Sequence, residues 1–178
     1  MWCHSSSFCE TGWWVSQCLG LGYWLRCYSL GHFNDDKPGD RKLHWRNFST
    51  FLARLIAKGH LQNHYHYQCI LYQIQDTLEE YNIHPIVTEL WVITEYMFRC
   101  GEFLYAALTA PVPFPDDGCE TWSLCSELPY FCRERWEFWQ KRFIELAADP
   151  EKWQLDREMV ARLTAVVKHM DTIKGEEN

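Results

Sequence analysis

Positive charge is scarce in this 178-residue chain: 17 Lys and Arg stand against 24 Asp and Glu, a formal net charge of −7. Nucleic-acid binders draw much of their affinity from neutralising phosphates, so no nucleic-acid partner is expected. No Lys or Arg precedes Arg26, so the charged leader of a secretory signal is missing. Long apolar runs are missing too. Trp13 to Leu25 is apolar but falls short of the roughly 20 residues that a bilayer span needs, and neither a signal nor a membrane contact is expected. The cysteines Cys3, Cys9, Cys18, Cys27, Cys69, Cys100, Cys119, Cys125 and Cys132 are odd in number and include no Cys-x-x-Cys pair. They form no disulfide framework, which points to reduced thiols in a cytosolic or nuclear protein. No Gly-x-Ser-x-Gly elbow, phosphate loop or dinucleotide fingerprint occurs. No cofactor is expected, and the question of an enzyme stays open, leaning towards none.

What the chain does have is aromatic surface: ten Trp, ten Phe and nine Tyr within a 47% hydrophobic composition. Each ring brings about 150–250 Å² to hide, which calls for a folded core. Residues 1–40 hold no 3.6 or 2.0 period and end in the turn-rich Asn34-Asp35-Asp36-Lys37-Pro38-Gly39-Asp40. Two regions follow: a Cys- and Trp-rich segment over 1–40 and a helical domain over 41–178.

From Arg41 onward helical periodicity dominates. Trp45, Phe48, Leu52 and Leu55 recur at i, i+3, i+7, i+10, with Phe51 and Ile56 widening the stripe. Gly59 marks the stop. A second helix is predicted over 63–81, with Asn63 as N-cap and Ile70, Leu71, Ile74, Leu78 and Tyr81 on one side; Pro85 ends it. Residues 86–108 are apolar nearly all round, the profile of a central helix, and Gly101 within it suggests a close approach by a neighbour. Pro111 to Gly118 is a surface loop. After Pro129, Trp136, Trp139, Phe143 and Leu146 make the clearest stripe. Asp149-Pro150-Glu151 reads as the start of a last helix carrying Met159, Leu163, Val166, Val167 and Met170 inward. No strand pattern holds. The fold class is all-α, an irregular bundle of about five helices with a poorly patterned amino-terminal segment. Its core is expected at Trp45, Leu52, Leu55, Leu78, Trp91, Trp136, Trp139 and Phe143.

These residues also carry a resemblance. Trp45, Asn47 and Phe51-Leu52-Ala53-Arg54-Leu55, then Leu78-Glu79, Trp91, Gly101 with Leu104-Tyr105, Trp122, and Arg135-Trp136-Glu137-Phe138-Trp139 with Lys141-Arg142-Phe143, resemble a family of filamentous fungi known as domain of unknown function 3632. The resemblance covers about residues 43–173. It implies a helical domain and brings no activity and no catalytic residues.

Candidate sites are few. His60, His64 and His66 have the spacing of a zinc-binding pair on one helix face, although a solvated helix entry explains them as well and no metal is expected. Cys119, Cys125 and Cys132 are six and seven residues apart, too widely spaced for the usual zinc set. Arg133, Arg135, Lys141 and Arg142 interleave with Trp136, Phe138 and Trp139, as in single-strand binders. Here, however, the rings belong to the buried stripe, and Arg135 and Arg142 are placed on its outer edge. Tyr65, Tyr67, Tyr72, Tyr81, Trp91, Tyr96 and Tyr105 could line a pocket for a flat ligand or fill a core. The expected function is a non-enzymatic module that contacts protein, itself or another. The alternative is an accessory small-molecule binder or enzyme acting on an aromatic metabolite.

Overall fold

The computed structural model describes residues 38–60, 64–79, 87–110, 124–125, 127–129 and 131–175. They form five helices and no strand: α1 Pro38–Ala57, α2 His64–Leu78, α3 Val87–Thr109, α4 Arg133–Ala148 and α5 Arg157–Gly175. Of the expected segment 1–40, residues 1–37 lie outside the described residues, as do the loop from Pro111 to Gly118 and Tyr81. Pro38-Gly39-Asp40, expected in the turn-rich linker, instead form the first turn of α1, where proline is tolerated.

The nearly all-apolar α3 is the hub, packing against each of the other four helices. Leu90, Ile93, Tyr96, Met97 and Leu104 are fully buried along it. Such a helix is packed on most of its sides, and only Arg99, Glu102 and Ala106, at i, i+3 and i+7, are left exposed. It bends at Cys100, whose backbone leaves helical values (φ −132, ψ 19). Gly101 follows, and a Cβ there would meet the Ile173 Cδ1 of α5 at 2.9 Å. Glycine at this position lets α5 cross closely, as its cost in helix propensity suggests.

Gly59 ends α1 in the left-handed region (φ 72). The Gly59 amide donates to Ile56 O (2.8 Å) and the His60 amide to Leu55 O (2.9 Å), the paired bonds of a Schellman stop. The buried face of α1, however, is rotated from the expected stripe. Trp45, Ser49, Leu52, Ala53 and Ile56 are buried, Phe48 and Leu55 are half-buried, and Phe51 is 58% exposed. The small Ser49 and Ala53 let α1 approach α3, and the bulkier Phe51 and Leu55 fall to the sides. Trp91, also expected in the core, is half-buried at its edge.

On α4 the stripe stands as read: Trp136, Trp139, Phe143 and Leu146 are fully buried. Leu78 on α2 is buried with them. The last helix begins later than the Asp149-Pro150-Glu151 signal suggests. Asp149 does accept a bond from the Lys152 amide (3.3 Å), but only one turn follows before Gln154 adopts a left-handed φ of 52. Asp156 then caps α5, its Oδ1 accepting from the Met159 amide at 2.7 Å. Two Asp caps compete in the sequence, and the second opens the long helix.

Candidate functional site

Two polar clusters stand out, one inside the fold and one at its edge. The inner one gathers around Glu79, which follows α2 and has no exposed surface. Its carboxylate accepts from Arg135 Nη1 (2.5 Å) and from Trp139 Nε1 (2.7 Å), both on α4. Arg135 also donates through Nε to Pro129 O (2.8 Å) and through Nη2 to Cys125 O (3.2 Å) and Leu128 O (3.1 Å). The Leu124 amide donates to Glu79 O, and Arg142 Nε to Leu78 O. One guanidinium fork thus fastens three loop carbonyls and the end of α2 to α4, satisfying groups that a helix terminus otherwise leaves open. Arg135 is therefore not on the outer edge of α4. It lies one turn before Trp139 on the same side, and the loop before α4 closes over it. The cluster presents no reacting atom to solvent; its work is structural.

The outer cluster lies where α1, α3 and α5 meet. The guanidinium carbons of Arg46 and Arg162 lie 5.0 and 4.7 Å from the centre of the Trp91 ring. Arg162 also lies over Phe98 at 5.2 Å. Its Nε donates to Thr94 Oγ1 (2.6 Å) and its Nη2 to Glu95 Oε2 (2.7 Å), while Arg99 pairs with the other oxygen of Glu95. Arg46 has no carboxylate partner among the described residues, and its buried Nε meets no acceptor. Stacked cations of this kind contribute about 0.5–1 kcal/mol each at exposed sites. Chemically the cluster is a half-buried ring stacked by two cations at the edge of the core.

The other sequence candidates are not brought together. His60 is exposed, and the side chains of His64 and His66 lie outside the described residues. No group of three His, Cys, Asp or Glu able to hold a metal occurs among the described residues. Cys119 is outside them, and Cys125 and Cys132 are buried and joined in no disulfide among the described residues. Of the tyrosines, Tyr96 is buried with its hydroxyl donating to Gln73 Oε1 (2.6 Å), and Tyr105 packs on Trp136 with ring centres 5.0 Å apart. Tyr72 is at the surface, and the side chains of Tyr65 and Tyr67 are not described.

Burial pushes the Cys100 thiol up to about 12, with Glu95 adding to the shift. Cys125 is likewise pushed up to about 12 by burial and then by Glu79, and Cys132 is raised by burial. At pH 8 only ~10⁻⁴ of a thiol with such a value is thiolate, the reactive form. Iodoacetamide applied to the native protein should leave Cys100 and Cys125 unmodified by peptide mass mapping, whereas urea-unfolded chain is labelled at both. Labelling of Cys100 at equal rates in the two states would show that the α3 core is open.

An all-α chain with a buried ion-pair clasp and a cation-flanked tryptophan at its edge is the class that the structure defines. The family model described as "Protein of unknown function (DUF3632)" matches residues 8–143, and the chain belongs to that family. The match takes in residues from 8 onward that the resemblance had left out, and it stops inside α4. No curated protein and no solved structure is significantly similar to the chain.

Proposed function

We propose that the chain is a non-enzymatic helical module that works by contacting protein, a second copy or another chain, in the cytoplasm or nucleus. The observation that carries this reading is the outer cluster: Trp91 with Arg46 and Arg162 stacked on it, beside a helix that exposes Phe51. Trp and Arg dominate interface hot spots, where a ring in a half-open setting becomes fully enclosed on binding. The inner cluster supports the reading from the other side, since Glu79 and Arg135 are engaged in holding helices. No helix among the described residues is long and apolar enough to cross a membrane. In the test, tagged full-length protein is cross-linked in extracts of its own source and compared with Trp91→Ala. A partner retained by the parent and lost at least tenfold in the variant, with little change in melting temperature, is the expected result. A monodisperse monomer that retains no partner would overturn it.

A second reading has an observation of its own. The Tyr105 hydroxyl and the Trp136 indole N–H are both buried with no hydrogen-bond partner among the described residues, on rings 5.0 Å apart. Buried polar groups are rarely left so, and a small aromatic ligand bearing a polar substituent would satisfy them. An aromatic compound that raises the melting temperature of the parent but not of Tyr105→Phe would favour this reading.

A further inference from the structure

The acidic chain has one strongly basic element. Residues 38–58 carry Arg41, Lys42, Arg46, Arg54 and Lys58 against the single acid Asp40, a net +4; the remaining chain, with twelve positive and twenty-three negative residues, carries −11. The side of α1 that bears Trp45, Ser49, Leu52 and Ile56 is buried. The opposite side bears Leu43, Asn47, Phe51, Arg54 and Lys58, all exposed. Their spacing of i, i+4, i+8, i+11 and i+15 keeps them on one helix face. Leu43 and Phe51, at 57% and 58% exposure, are the two most exposed large apolar side chains among the described residues. Burying such a side chain contributes about 1.5–3 kcal/mol, so a face that leaves two open beside Arg54 and Lys58 is arranged to be covered.

We propose that this outer face of α1 docks an acidic amphipathic segment of a protein partner. The proposal rests on the interaction reading above and adds the surface and the partner's chemistry. Leu43 and Phe51 are eight residues apart, about 12 Å along the helix, so a partner helix meets them with apolar side chains two turns apart. Its carboxylates meet Arg54, Lys58 and, at the flank, Arg46, which has no carboxylate partner among the described residues. Charge decides between occupants. A pair of copies that sets α1 against α1 puts basic on basic. A pair that sets α1 against an acidic surface of the second copy is a separate outcome, seen as a dimer or ring of the chain alone in light scattering, and it overturns the proposal. A nucleic acid meets the −11 of the rest of the chain. A membrane-surface helix needs a broad open apolar face, whereas the main apolar face of α1 is occupied by α3.

The test uses the full chain and a fluorescein-labelled 18-residue peptide of Leu and Glu, with Leu at i, i+4, i+7 and i+11, read by anisotropy. A Leu/Lys peptide of the same pattern and an all-Glu peptide serve as controls. Saturable binding of the Leu/Glu peptide alone is expected, weakened at least tenfold by Phe51→Asp and by the double change Arg54→Glu with Lys58→Glu, and weakened by added salt. Equal binding to the Leu/Lys peptide, or no effect of either variant, overturns the proposal. So does binding to phosphatidylserine vesicles that the same variants abolish, since that makes the face a lipid contact. A large drop in melting temperature for Phe51→Asp also overturns it, because the chain itself then covers the face. If the cross-linked partner is still held by Phe51→Asp, this surface falls while the interaction reading stands; if the parent holds no partner, the interaction reading falls.

Discussion

Arg135→Met is expected to lower folding stability by about 3–5 kcal/mol, because it leaves the Glu79 carboxylate buried without its cation. The loss is read from the urea midpoint, with the slope unchanged. The same change removes the donors that Cys125 O, Leu128 O and Pro129 O share. The loop before α4 should therefore loosen, and alkylation of Cys125 and Cys132 in the native state should speed up. Joining Glu79→Met to Arg135→Met removes both charges, and the double variant should lose less than the sum of the two single ones. Only Trp139 Nε1 and the three loop carbonyls then lack partners, at about 1–3 kcal/mol for a buried group left unsatisfied. The coupling energy should reach the upper part of the usual range, about 2–3 kcal/mol. Strict additivity of the two changes would mean that the pair is not the clasp described.

That clasp also shows where a sequence stops being legible. A stripe such as Trp136, Trp139, Phe143 and Leu146 declares itself, since four large apolar residues at helical spacing leave one orientation. Glu79 and Arg135 are 56 positions apart, and no local period links them. A charged residue within a helix reads as outward because Arg is seldom fully buried unless paired, and the pairing is visible only in the fold. The signal that could have found it was present: Leu78-Glu79 and Arg135-Trp136-Glu137-Phe138-Trp139 are two of the blocks that carry the family resemblance. On α1 the difficulty was the opposite one, an excess of apolar residues. Trp45, Phe48, Leu52 and Leu55, with Phe51 and Ile56 beside them, make a plausible broad stripe, but close contact with α3 selects the side of Trp45, Leu52 and Ile56 that also holds Ser49 and Ala53, which size-weighted periodicity discounts. The error matters for function, because the residue turned outward is Phe51. The outer cluster was invisible for a related reason, since it joins Arg46, Trp91 and Arg162 from three helices and no motif binds them in the sequence.

Trp139→Ala is expected to cost about 3–5 kcal/mol, as large-to-small changes in a closed core do. For a chain of this size that corresponds to a fall in melting temperature of roughly 6–20 °C. Two effects contribute, and Trp139→Phe separates them. The phenyl ring retains most of the buried volume but removes the N–H that donates to Glu79, so its cost should sit near the 1–3 kcal/mol of an unsatisfied buried acceptor. Trp91→Ala gives the contrast. That ring is half-buried at the edge of the core, and its loss removes two stacked cations worth about 0.5–1 kcal/mol each together with part of its apolar contact. It should lower the melting temperature less than Trp139→Ala, while abolishing partner retention that Trp139→Phe preserves. Two tryptophans 48 positions apart would then divide the work, one maintaining the fold and the other meeting the partner. Equal melting temperatures for Trp139→Ala and the parent would remove the buried stripe on α4, and with it the frame that presents Trp91.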